Sequence, residues 1–170
     1  MINKKYNDYA HEIIPNLWLG NKEAAKDLKF LTKNKIGLVV NCSKEQDIKN
    51  FFENRKDINI QYIRIPVDDS LQKKDFAIMT NNLYIVVPII ENFLKNNIPV
   101  FVHCFAGMQR SATVVASYLL YKFHIPLYQA IYYIQKKRNI AFTPQINFID
   151  SLLLYYYDLL KKRKSNKIIK

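Results

Sequence analysis

Cys104 and Arg110 stand six positions apart in Ile98-Pro99-Val100-Phe101-Val102-His103-Cys104-Phe105-Ala106-Gly107-Met108-Gln109-Arg110-Ser111-Ala112. An ionised thiol is a nucleophile, and a guanidinium is a planar, permanently charged fork that grips an oxyanion through two hydrogen bonds. The pair is useful only if the chain brings them together. Before Cys104, the apolar run after Pro99 predicts a short buried strand. After Arg110, Ser111-Ala112-Thr113-Val114-Val115-Ala116-Ser117-Tyr118-Leu119-Leu120-Tyr121 predicts a helix with Ser and Thr at its start. A strand, a tight loop and a helix N-terminus form an anion site, because free backbone N–H groups and the positive end of the helix dipole converge there. The first turn carries Arg110 and neither Asp nor Glu, a pattern that suits a dianion seated in the loop. The same field favours the thiolate form of Cys104. The alternative is a buried structural cysteine with a surface arginine. The preceding strand, His103, Gly107, Ser111 and the following helix weigh against it.

The elements that must hold this loop are readable in outline. Ile13 to Gly20 predicts a first strand ending at a glycine turn, and Asn21 caps a helix running to about Thr32. Leu38-Val39-Val40-Asn41-Cys42 predicts a buried strand after Gly37. Ser43 to Asp57 predicts a loop and short helix with Phe51 and Phe52 tucked in, and Asn59 to Pro66 alternates as a further strand. Asp75 to Asn97 predicts a long helix, kinked or restarted near Pro88. Pro126 to Arg138 predicts another. Thr143 and Pro144 start the last, with Phe148, Leu152, Tyr155, Tyr156 and Leu159 on its apolar face. Strands alternating with helices argue a single-domain α/β sandwich: a central, largely parallel, twisted sheet of about five strands with helices on both faces. Residues 1–10 read as a flexible N-terminal segment, 11–162 as the domain and 163–170 as a basic tail.

Composition sets the class. A chain of 170 residues with 49% hydrophobic and 24% charged residues can bury a core without staples. Two cysteines, Cys42 and Cys104, exclude a disulfide framework and point to a reducing, cytoplasmic or nuclear setting. The N-terminus shows no signal-peptide core, and no apolar run reads as a membrane span. The net charge of +12 includes six cations in residues 161–170; the rest carries twenty cations against fourteen acids. The tail suits a solvated helix end better than a nucleic-acid or lipid contact. His103 has no second ligand at a fitting spacing, so no metal site is expected.

The pattern His103-Cys104, five residues, Arg110-Ser111 resembles the signature loop of the cysteine-dependent protein phosphatases. Leu17-Trp18-Leu19-Gly20, Ile36-Gly37-Leu38-Val39-Val40-Asn41, Ile65-Pro66-Val67-Asp68-Asp69-Ser70 and Pro144 with Phe148 resemble motifs of the dual-specificity branch. The resemblance covers nearly the whole chain. It implies Cys104 as nucleophile, the amides of Phe105, Ala106, Gly107, Met108, Gln109 and Arg110 with the Arg110 fork as the phosphate cradle, and Ser111 assisting departure of the thiolate. It implies His103 as the residue that orients the loop. Asp68 and Asp69 are candidate acids; the resemblance places the acid at Asp69, ahead of Asp75. No metal or organic cofactor is implied. Gln109 stands where the family usually has a small residue, and Gln145 where it usually has an Asn that supports the loop. Arg138 reads as part of a solvated Lys136-Lys137-Arg138 face rather than a second phosphate contact, and His11 and His124 read as surface residues. Cys42 reads as a buried strand cysteine rather than a disulfide partner of Cys104.

These features imply a phosphatase acting on phosphotyrosine and phosphoserine or phosphothreonine in a phosphorylated protein. A superfamily member acting on RNA 5′-triphosphate or phosphoinositide ranks second, the basic balance favouring it slightly. Related RNA enzymes carry Asn-Arg-Thr where this chain has Gln109-Arg110-Ser111, and the lipid enzymes carry lysines inside the loop. A catalytically weak phosphoprotein-binding module ranks third, since Cys104 and Arg110 are both present. Nothing in the sequence signals an oligomeric state.

Overall fold

Pro15 and Asn16 divide the first apolar stretch. Pro15 has no backbone N–H to give to a sheet, Asn16 takes a left-handed conformation (φ 67°), and the Glu12 carboxylate accepts its N–H at 2.8 Å. The expected strand over Ile13–Gly20 is therefore a hairpin of β1 (Ala10–Ile14) and β2 (Leu17–Gly20), paired antiparallel. The computed structural model describes residues 9–44 and 59–168, with side chains to 165. The expected helix with Phe51 and Phe52 lies outside the described residues, as do residues 1–8.

β3 (Leu38–Asn41), β4 (Gln61–Arg64) and β5 (Val100–His103) complete a sheet of order β1-β2-β5-β3-β4, parallel except at the β1 edge. Period-two alternation sends its side chains to two cores. Leu38, Val40, Val100 and Val102 enter one; Val39 and Phe101 enter the other. The second is covered by α1 (Lys22–Lys26) and α2 (Leu28–Lys33), where Phe30 packs edge-on against Trp18 and Phe101. The single helix expected there is split because the Asp27 carboxylate accepts the Lys29 and Phe30 N–H groups at 2.9 and 3.2 Å, capping a new helix.

Among the described residues, four helices cover the first core: α3 (Lys73–Lys95), α4 (Arg110–Phe123), α5 (Leu127–Lys137) and α6 (Ile149–Ile168). α3 runs unbroken through Pro88, whose ring lies on the solvent side, where water can serve the carbonyl freed one turn earlier. Contrary to the sequence reading, α3 is long and apolar enough to cross a membrane by length and composition. Its Met79, Leu83, Val86, Val87 and Ile90 are buried against the rest of the domain instead. α6 starts at Ile149, not at Thr143, because the backbone of 143–147 is engaged elsewhere, as described below. It continues to Ile168, so the basic residues from 163 onward extend the helix, and Arg163 donates to the Leu120 carbonyl at 2.6 Å.

Candidate active site

β5 sits at the centre of the sheet, buried on both faces, and delivers Cys104 to the carboxyl end of the strands. The chain then turns through 105–109 and enters α4. Gly107 has φ +69°, and a Cβ there would collide with the Gly20 carbonyl and lie 2.9 Å from the Arg138 guanidinium, so only glycine fits. Gln109 is the N-cap but gives α4 no side-chain cap. The positive end of the helix therefore faces the loop.

The Cys104 sulfur receives two donors, the Gly107 N–H and the Ser111 hydroxyl, each at 3.2 Å. Ser111 thus turns its hydroxyl to the Cys104 sulfur, and α4 has no side-chain cap from its N-cap residue. His103 is fully buried, stacks on Phe101, and places Nδ1 3.3 Å from the Cys104 carbonyl. Cys104, Phe105, Ala106, Met108, Gln109 and Arg110 line a cavity of about 270 Å³, closed on the far side by Asp69, Pro144 and Asn147. Of the expected cradle only Gly107 is off the wall, its N–H being turned to the sulfur. Phe105 forms part of the rim and is held by Lys22, whose N–H reaches the Phe105 carbonyl at 3.2 Å while its ammonium sits 4.1 Å from the ring centroid.

The acid candidates separate cleanly. Asp69 faces the cavity, with Oδ2 3.8 Å from Arg110 Nε and Oδ1 accepting from Asn147 Nδ2 at 2.9 Å. Asp68 points to solvent and pairs with Lys44 at 3.2 Å, and the Lys44 hydrogen bond holds its carboxyl below the usual range. Asp75 is fully buried and braces the loop, accepting the Asp68 N–H at 3.3 Å and the Ser70 hydroxyl. Arg110 reaches the same loop, donating from NH1 to the Val67 carbonyl at 3.2 Å. Its buried Nε has no hydrogen-bond partner among the described residues.

Arg138 corrects the sequence reading. It is 1% exposed and is no part of a solvated face. Its Nε donates to the Gly107 carbonyl at 2.7 Å, its NH2 to the Ala106 carbonyl at 3.0 Å, and its NH1 lies 3.0 Å from His11 Nδ1. His11 is accordingly half-buried in this cluster, whereas His124 is exposed at the end of α4. The signal was present: Ala130 and Ile134 lie four residues apart on the buried face of α5, and Arg138, the C-cap, follows at the same spacing. Peptide planarity gives the contact its meaning. Holding the Ala106 and Gly107 carbonyls on the outside aims the N–H groups of the same two peptide units, those of Gly107 and Met108, inward.

Cys42 follows β3 opposite this loop, its N–H bonded to the His103 carbonyl at 2.7 Å. Burial, with the nearby Cys104 sulfur adding to it, pushes the Cys42 thiol well above its ordinary range, and both cysteines are free.

A family model described as the dual specificity phosphatase catalytic domain matches residues 17–158. Human dual specificity protein phosphatase 9 is 32% identical over 157 residues, which cover 92% of this chain and 38% of that protein. Dual specificity protein phosphatase 1-A of Xenopus laevis is 32% identical over 149 residues, covering 88% of this chain and 37% of the relative. The chain thus spans less than two fifths of the length of these relatives. Among solved structures, human DUSP28 superposes with a TM-score of 0.75 at 24% identity, over 89% of this chain and 95% of that one.

Proposed function

The chain belongs to the dual specificity phosphatase catalytic-domain family, and from that premise we propose that it is a protein phosphatase hydrolysing phosphotyrosine and phosphoserine or phosphothreonine through a cysteinyl-phosphate intermediate. The observation that carries the reading is the sulfur of Cys104 under two donors, with Arg110 and Asp69 across one small cavity. In the first step the Cys104 thiolate attacks phosphorus and the bond to the leaving oxygen breaks. The carboxylic acid of Asp69 gives its proton to that oxygen, so an alcohol or phenol departs. The loop amides and the Arg110 fork hold the remaining phosphoryl oxygens. In the second step water attacks phosphorus, its proton passes to the Asp69 carboxylate, and the S–P bond breaks. Thiolate is restored with the Ser111 hydroxyl donating to it, and inorganic phosphate leaves. The shallow cavity, rimmed by Phe105, supports acceptance of short as well as aromatic phosphoesters. Two free thiols suit a reducing cytoplasmic setting.

The test is a parallel assay on phosphotyrosyl and phosphothreonyl peptides, 5′-triphosphorylated RNA and phosphoinositide, with Cys104→Ser as control. Turnover of both peptides, abolished in Cys104→Ser while phosphopeptide binding persists, is expected, because a serine hydroxyl does not ionise near neutral pH. Preference for the RNA or the lipid would overturn the substrate class. Full hydrolysis by Cys104→Ser would overturn the nucleophile.

A further inference from the structure

The side chains of two polar residues on the cavity wall have no part in the steps just described. Gln109 is 6% exposed, and its side-chain amide is fully engaged with one segment of chain. Nε2 donates to the carbonyls of Thr143 and Gln145, at 3.0 and 2.8 Å, and Oε1 accepts the Asn147 N–H at 3.1 Å. The backbone of 143–147 is thus clamped to the residue that precedes Arg110. From that clamped segment, Asn147 reaches across to Asp69 Oδ1 at 2.9 Å. Arg110 closes the ring on the other side, holding the Val67 carbonyl and lying 3.8 Å from Asp69 Oδ2. The phosphate loop, the 143–147 segment and the acid loop therefore fix one another.

From this ring, and on the reading of Asp69 as the acid, we infer that Asn147 is the positioning residue for the proton Asp69 delivers, and that Gln109 holds Asn147 in register. The chemistry is directional. An amide N–H can only donate, and the carbonyl oxygen of a carboxylic acid is its better acceptor, so the oxygen that receives the N–H favours the carbonyl form and the acidic hydrogen favours the other oxygen. With Asn147 on Oδ1, the proton of the acid form favours Oδ2. That is the oxygen nearest Arg110, hence nearest an oxyanion held by its fork. The same hydrogen bond fixes rotation of the carboxyl group, so the acid arrives aimed instead of spending time in unproductive rotamers. Gln109 supplies this from a position where a small side chain could not span the gap to the 143–147 backbone.

The experiment compares Asp69→Asn, Asn147→Leu and the double variant, each on a phenolic or alkyl phosphate and on an activated aryl phosphate whose leaving group needs no proton. Asp69→Asn should lower kcat/KM on the poor leaving group by roughly 10²–10⁴-fold. Asn147→Leu should lower it by roughly 10–10²-fold, a loss exceeding that on the activated ester by about tenfold or more. The basic limb of its pH–rate profile should be shallower. The double variant should be no slower than Asp69→Asn alone, because Asn147 acts only through that carboxyl. If Asn147→Leu folds poorly, Asn147→Ser keeps the N–H that Gln109 holds and shortens only the reach to Asp69, and the same signature is expected. Equal losses on both esters, or additive losses in the double variant, overturn the inference while leaving the acid in place. Absence of leaving-group selectivity in Asp69→Asn itself overturns the acid assignment, and the positioning role with it.

Discussion

Replacing Arg138 tests the loop where no catalytic atom is touched. In Arg138→Met the side-chain volume is largely kept, but the Ala106 and Gly107 carbonyls and His11 lose their donor. Leaving a buried polar group unpaired costs about 1–3 kcal/mol, so two loop carbonyls set an expected destabilisation of roughly 2–6 kcal/mol if the loop keeps its shape. The loop has a cheaper response, which is to turn those peptide units toward water. That response spends catalysis instead, because rotating the 106–107 unit swings the Gly107 N–H off the Cys104 sulfur, now 3.2 Å away. Turning the 107–108 unit with it takes the Met108 N–H out of the cradle as well, and losing one donor aimed at a developing oxyanion costs about 10²–10³-fold in kcat. Arg138→Met should therefore fall at least about 10²-fold in kcat/KM on an activated aryl phosphate, where the acid is not needed, while losing less stability than the rigid-loop figure. Arg138→Lys should recover only part, since one ammonium cannot hold two carbonyls at the spacing of a guanidinium. The assays are urea unfolding, steady-state turnover, and the rate of Cys104 alkylation at neutral pH, which reads the thiolate. Wild-type alkylation and phosphate affinity in a folded Arg138→Met would refute the claim that this residue aims the cradle.

Gly107→Ala must accept a left-handed φ, costing roughly 1–2 kcal/mol, besides the collision with the Gly20 carbonyl; thermal unfolding should fall and turnover collapse, and a fully active variant would refute the fit. Asp68→Asn should change kcat/KM on a phenolic ester by less than about threefold, because a solvent-facing carboxyl paired to Lys44 has no access to the leaving oxygen; a leaving-group-selective loss there would move the acid by one residue. Burial pushes the Glu91 carboxyl up, but hydrogen bonds from Lys122, Tyr118 and Lys95 outweigh it and hold the group below its usual 4.5. Its contribution is therefore present above the unfolded value and lost as pH falls through the folded one. Glu91→Gln should cost about 1–3 kcal/mol in urea unfolding at pH 7, a deficit that shrinks below about pH 4.5; a pH-independent deficit would refute the charge argument.

The loop from Cys104 to Arg110 was legible because it is local. Strand, Cys104, Gly107, Arg110 and helix lie within one short stretch, and the dipole argument needs nothing from elsewhere in the chain. The loop of Asp68 and Asp69 was legible, but which of the two faces the cavity depends on Lys44 and Asn147, 24 residues before the one and 78 after the other. Arg138 was misread because the neighbouring Lys136 and Lys137 set an expectation of solvent that the burial of Ala130 and Ile134 overrides. The start of the last helix was misplaced for a related reason. Thr143 and Pro144 have the composition of a helix start, yet the carbonyls of Thr143 and Gln145 are claimed by the side chain of Gln109, 34 and 36 residues earlier.

The misread positions share a cause with the site's rigidity. A loop whose N–H groups must point inward leaves its carbonyls pointing outward into protein, and each needs a donor that is remote in sequence. Arg138 serves two of those carbonyls, and the Phe142 N–H serves a third, that of Met108, at 2.8 Å. Lys22 N–H serves a fourth, that of Phe105. Gln109 reverses the direction, sending a loop side chain out to hold the segment that carries Phe142 and Asn147. The cradle is thus held from α1, α5 and the stretch before α6 at once. With its carbonyls held from these sides the loop keeps its N–H groups turned inward, which on the proposed phosphatase reading leaves little reorganisation to the reaction itself.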